Sequence, residues 1–121
     1  MVREIREGKE VKSGSGITIT VAIPEFKNDT STIPAYEVTY SLSDTTIKRG
    51  TAPLIDNVLI SGESIFEYYD SSGIKYDPPD STTLPTISKI HINLKVDVDK
   101  DGNPDVILNT DVNLRNFGLP E

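Results

Sequence analysis

Four aspartates near the C-terminal end of the chain make its densest set of groups able to hold a ligand. Asp97, Asp99, Asp101 and Asp105 occupy positions one, three, five and nine of a D-x-D-x-D-G-x-x-D pattern, with Gly102 at six and Asn103 at seven. Alternate residues of a tight loop can aim their oxygens at one point, and Asn103 would add its backbone carbonyl. Hard oxygen donors in flexible number suit calcium better than zinc or magnesium. Carboxylates gathered this closely repel one another unless a cation or solvent lies between them. Such an ion would stabilise the turn, a structural role and not a catalytic one.

Position twelve is Leu108, where an EF-hand has its bidentate Glu, and the flanking residues read as strands instead of helices. The loop more closely resembles calcium loops at hairpin tips of extracellular β proteins, in which the ninth-position acid completes the shell. Asp, Gly and Asn are also the residues that a plain solvated hairpin turn selects, and both readings stand at this level.

Little else points to chemistry. His91 is the single histidine and lies on the polar face of its run between Ile90 and Ile92, and a lone surface imidazole with no identified partner is rarely a general base. Gly14 and Gly16 precede a strand pattern, so no phosphate-binding helix terminus is formed. Trp is absent, and Tyr36, Tyr40, Phe66, Tyr68 and Tyr69 recur at strand spacing that fits core and cross-strand packing better than a sugar platform. Arg115 and Asn116 suit backbone carbonyls or a carboxylate at a strand end. Asn28-Asp29-Thr30 matches the short glycosylation triplet, a pattern too common to decide anything. No catalytic residue and no enzyme activity is expected.

The elements that must carry these residues are mostly extended. Ile90, Ile92, Leu94, Val96 and Val98 alternate with polar residues, as in a strand with one buried face, and Asp-Gly-Asn-Pro turns the chain back into a second run. Residues 90–116 are thus expected to form a C-terminal β-hairpin. Val2 and Ile5 share a helical face, which predicts a short helix ending near Gly8, and Lys12 to Gly16 reads as a flexible joint. Ile17 to Ile23, Tyr36 to Leu42, Thr46 to Arg49 and Ser64 to Tyr69 read as strands. Pro53 to Ile60 suits a short helix or crossover, and Asp70 to Thr86, with three prolines, an exposed irregular loop. One short helix and about six strands predict an α+β domain with antiparallel sheet.

At 121 residues the chain suits one domain, 1–121. Its net charge of −7 argues against a nucleic-acid partner, and zero cysteines remove disulfides and thiolate sites. No apolar run approaches the roughly 20 residues of a membrane helix. Met1 sits directly on Val2-Arg3-Glu4-Ile5-Arg6-Glu7, which looks like the tail of something longer.

The chain resembles the soluble head of prepilin-like proteins, the minor pilins and J-type minor pseudopilins of type II secretion. Arg3-Glu4-Ile5-Arg6 is similar to the end of that family's long N-terminal helix, here residues 1–10, and Ile17-Thr-Ile-Thr-Val21 to its first head strand. Ile65-Phe66-Glu67-Tyr68-Tyr69-Asp70 before Gly73 resembles its aromatic strand and turn, and Ile87 to Val96 with Thr110-Asp-Val-Asn-Leu-Arg-Asn116 its final strands. The resemblance implies a pilin-like fold, with a short N-terminal helix packed on an antiparallel sheet. It also implies a non-enzymatic subunit of a type IV pilus-like or type II secretion pseudopilus fibre, serving secretion, adhesion or DNA uptake at the bacterial envelope or surface. Its partners would be other pilin or pseudopilin subunits. Members carry a leader and a hydrophobic membrane helix, neither of which is in this sequence. The competing expectation is a free-standing extracellular calcium-stabilised module that binds a glycan or protein, with Tyr69 or Tyr76 exposed beside the acidic loop.

Overall fold

Residues that alternate apolar and polar become strands almost everywhere in the chain. The computed structural model describes residues 1–60 and 62–119. A single helical turn, α1 (Val2–Arg6), precedes β1 (Glu10–Gly14), β2 (Thr18–Ile23), β3 (Phe26–Lys27), β4 (Thr32–Ile33), β5 (Tyr36–Ser43), β6 (Thr46–Arg49) and β7 (Ala52–Ile55). There follow β8 (Phe66–Asp70), β9 (Lys75–Tyr76), a 3-10 turn (Leu84–Thr86), β10 (Ile87–Val96) and β11 (Val106–Asn113). One sheet runs β1-β2-β5-β6-β7, a second runs β11-β10-β8-β9, and β3-β4 form a small separate ribbon. Every strand pairing is antiparallel.

Both large sheets turn one face to a common core. Val11, Ile19, Val21, Val38, Tyr40 and Ile47 come from the first, and Phe66, Tyr68, Ile90, Ile92, Leu94 and Val112 from the second. Two antiparallel sheets sharing one apolar layer make a β-sandwich. Each fully buried Val, Ile or Phe contributes about 1.5–3 kcal/mol, so this layer supplies the main drive to fold.

The expected α+β, pilin-like class is therefore corrected. Among the described residues the chain is 48% strand and 7% helical, and no helix reaches seven residues. Five residues are too few to hold a helical layer together, because helix nucleation is costly and the apolar face of α1 buries only Ile5. The stretches expected to be joint, crossover and loop instead add strands. Val11 pairs with Val21 and is fully buried, which draws 10–14 into the first sheet in place of a flexible joint. Residues 52–55 pair with β6 as a strand, not a short helix, and Lys75–Tyr76 pair with β8 inside the supposed irregular loop.

Gly14 shows why β1 must be where it is. A Cβ there would lie 2.6 Å from Cζ of Tyr68, whose hydroxyl is shared between the carbonyls of Ser15 at 2.7 Å and Thr18 at 2.9 Å. The missing side chain lets the second sheet's tyrosine reach the first sheet's backbone, and the two layers are cross-bonded there. Burial pushes the Tyr68 hydroxyl pKa up, so it stays a neutral donor.

The C-terminal hairpin starts at Ile87, and β10 and β11 hold one unbroken register from Lys89↔Asn113 to Val96↔Val106. The 1–121 span includes residues 61, 120 and 121, which lie outside the described residues. Among the described residues no helix is long and apolar enough to cross a membrane.

Candidate functional site

The acidic loop joins β10 to β11, and its bend depends on two left-handed residues, Lys100 (φ 60°) and Gly102 (φ 89°). Gly102 suits its place because glycine alone adopts such angles without cost. Asp97 is buried; its amide donates to the Asn57 carbonyl at 2.9 Å, which fastens the loop to the crossover after β7. Its carboxylate accepts the Gly102 amide at 2.7 Å and the Asp101 amide at 3.2 Å. Asp105 braces the other side, accepting the amides of Val98 at 2.8 Å and Asp99 at 3.3 Å.

The fold brings three of the expected ligands together. One carboxylate oxygen each from Asp97, Asp99 and Asp105 lies within 4.8 Å of the other two, an arrangement that could hold a metal ion. Asp101 stands outside this trio, its Oδ1 accepting the Asn103 amide at 2.8 Å, so Asp101 and Asn103 shape the turn. Burial would raise the Asp97 pKa, but the Gly102 and Asp101 amides outweigh it and hold the group below its ordinary value. Asp99 is pushed up, first by Asp97 beside it and then by burial. Opposite shifts on adjacent carboxylates are the mark of crowded negative charge, which a cation would relieve.

A second constellation, which the sequence analysis missed, surrounds α1. Glu4 is half-buried and receives Arg49 in a two-pronged contact, Nε to Oε1 at 2.8 Å and Nη2 to Oε2 at 2.7 Å. Tyr36 donates to the same carboxylate at 2.7 Å, and Tyr40 donates to its other oxygen. Arg49 above all, together with the two hydroxyls, outweighs burial and brings the Glu4 pKa down to about 2. The C-terminal residues also close on the end of the turn, and Arg115 and Asn116 line the same cavity as Glu4, Tyr36, Tyr40 and Arg49. The Arg115 amide donates to the Arg6 carbonyl at 2.7 Å, and Arg115 Nη1 reaches Glu7 Oε1 at 2.8 Å. Asn116 Nδ2 donates to the Glu7 carbonyl at 2.8 Å. These are the backbone carbonyls and carboxylate that Arg115 and Asn116 were expected to satisfy. Ile5, fully buried, joins the shared core.

The clamp escaped sequence reading because its members lie 32 to 45 residues apart for Glu4 and about 108 apart for Arg115 and Glu7. The spacing of Tyr36 and Tyr40, on one face of a strand, read instead as core and cross-strand packing. His91 Nδ1 lies 2.7 Å from Asp111 Oδ1 on the outer face of the second sheet, where Lys89 also approaches Asp111 at 3.9 Å. That is a charged cross-strand cluster. Tyr40, Phe66 and Tyr68 are core residues, whereas Tyr36 and Tyr69 are not fully buried.

Comparison with family models, with curated proteins and with solved structures finds no match to this chain.

Glu4 binds protons less readily in the folded chain than in the unfolded one, so its contribution is present above its ordinary pKa of 4.5 and is lost as pH falls towards about 2. Glu4→Gln is expected to lower stability at pH 7 by about 1 kcal/mol, solvent near Arg49 screening part of the pair. Urea melts of both proteins should converge between pH 5 and pH 2. A difference that stays constant across that range would contradict the assignment.

Proposed function

We propose that the chain is a non-enzymatic structural head, displayed by a subunit of a type IV pilus-like or type II secretion pseudopilus fibre at the bacterial cell envelope or surface. Its partners are other pilin-like or pseudopilin subunits. The observation that supports this is the grip on α1. A head displayed on a stem must pass orientation and load through the residues that join them, and here those residues are Glu4, Ile5 and Glu7. They are held by β5, β6 and the segment after β11. The Leu114-Arg115-Asn116 stretch, the most recognisable part of the prepilin resemblance, supplies part of the grip: Leu114 is buried, and Arg115 and Asn116 bond to Arg6 and Glu7. The helix-on-sheet layer is not part of the proposal; the head is a sandwich.

Calcium is the ion proposed for the acidic loop. The trio offers oxygen ligands only, with neither histidine nor thiolate, and an exposed rim where water and carbonyls can raise the coordination number. Its role is to fix the start of β11. The free-standing ligand-binding alternative is less well supported, because the aromatic residues it needs are elsewhere. Tyr69 pairs with Lys89, seven residues along β10 from Val96 and so about 20 Å from the loop. Tyr76 hydrogen-bonds Asp70 at 3.0 Å at that same far end.

Two measurements test these proposals. Melting with calcium in hundredfold excess over its Kd should raise Tm by roughly 5–10 °C relative to chelator. Asp97→Asn and Asp105→Asn should abolish the rise; no rise at millimolar calcium would exclude a stabilising site. For the fibre, mild crosslinking of the tagged natural gene product in its own cells should yield adducts with prepilin-like subunits, and its reading frame should run upstream through a leader and an apolar helix. Ordinary initiation at Met1, with recovery only as free protein, would contradict assembly.

A further inference from the structure

Three of the four outer edges of the sandwich carry a feature that discourages pairing with another strand. The edge strand β1 has a register break between Val11 and Ser13 and places Glu10 and Lys12 along it. At the other edge of that sheet β7 contains Pro53, which lacks an amide hydrogen, beside a second register break. In the second sheet β9 is two residues long. Natural sheets avoid edge-to-edge association by such means: short strands, bulges, proline and lysine.

The fourth edge, β11, has none of them. It is eight residues long, contains no Pro, Gly or Lys, and pairs with β10 without a register break. The bond from the Leu114 amide to the Ser88 carbonyl makes that pair a hydrogen-bonded one, so the alternation of an antiparallel ladder directs 106, 108, 110 and 112 towards β10. Ile107, Asn109, Asp111 and Asn113 consequently present their amides and carbonyls outward. Among the described residues no other strand pairs with this row. Ile107 is also 58% exposed, which leaves apolar surface beside the open backbone.

We infer that β11 pairs with β11 of a second copy of this chain, antiparallel about a two-fold axis at Thr110, joining two four-stranded sheets into one. The occupant follows from two properties of the edge. A row of alternating outward donors and acceptors is matched by another extended strand. The sequence of β11 is also complementary to itself when reversed. Centred on Thr110, Ile107 faces Asn113 of the second copy and Asn109 faces Asp111, so every outward residue finds a partner and no charge meets its like. Leu108 faces Val112 on the inner side and extends the core across the junction. Shifting the centre to Asp111 would set two carboxylates directly opposite, which is destabilising. Centring on Asn109 would run Asn113 past the strand end onto Asp105.

The register makes a sharp test, because the chain has no cysteine. Thr110 would face its own copy as a non-hydrogen-bonded pair, with Cα atoms about 4.5 Å apart, inside the roughly 4.4–6.8 Å range of a disulfide. Thr110→Cys should therefore oxidise to a homodimer, whereas Asn113→Cys, facing Ile107, should not. Sedimentation of the unmodified protein should show a concentration-dependent dimer. Asn109→Pro, which removes only an outward donor, and Ile107→Lys should each weaken it at least about tenfold. Circular dichroism and melting would verify that these variants fold. A monomer at concentrations up to about 0.5 mM, a dimer indifferent to both edge variants, or crosslinking at Asn113 and not at Thr110 would overturn the inference.

Discussion

Glu4 and Ile5, adjacent in one short helical turn, tie together parts of the sandwich that the sheets alone leave apart. Ile5 enters the shared core, and Glu4 gathers two hydroxyls and a guanidinium from β5 and β6. The chain after β11 holds the end of the turn through Arg115 and Asn116. A carboxylate in this position tolerates partial burial because its bonds come from charged and polar donors, the condition under which such bonds are strongest. The N-terminal turn is thereby packed into the sandwich, and on the proposed fibre reading this packing would give the joint a fixed direction.

Strand-by-strand reading of the sequence succeeded where one face is buried. The alternation in 17–23, 36–42 and 90–98 announced β2, β5 and β10, although Ile17 and Val98 fall outside the strands and are exposed, and Asp-Gly-Asn-Pro announced the hairpin between β10 and β11. It failed where tertiary contact overrides local composition. Lys12-Ser-Gly-Ser-Gly looks like a joint, yet Val11 is buried against the sheet and Gly14 is demanded by the ring of Tyr68. The expected α+β class failed for a related reason. Arg3-Glu4-Ile5-Arg6 has good helix formers, but five residues cannot build a layer, and the remaining segments had more strand in them than their prolines and glycines suggested.

The acidic loop was legible as a pattern of spacings, and the fold brings Asp97, Asp99 and Asp105 into one cluster. Sequence spacing did not show that Asp101 would turn to the Asn103 amide, because that choice depends on the left-handed bend at Lys100. The clamp around α1 was invisible for a simpler reason: no local pattern links Glu4 to Arg49 or Glu7 to Arg115. Loop and edge belong to one hairpin. Asp105 both braces the loop and precedes the first residue of β11, so an ion held there would also steady the open edge.

Native-state hydrogen exchange by NMR tests most directly whether the N-terminal turn belongs to the sandwich. The amides of Gly8, bonded to the Ile5 carbonyl, and of Arg115, bonded to the Arg6 carbonyl, should exchange only through global unfolding, with the same opening free energy as Ile90 and Ile92 in the core. Exchange of Gly8 and Arg115 orders of magnitude faster, while the core amides stay protected, would show a frayed turn and contradict the rigid joint.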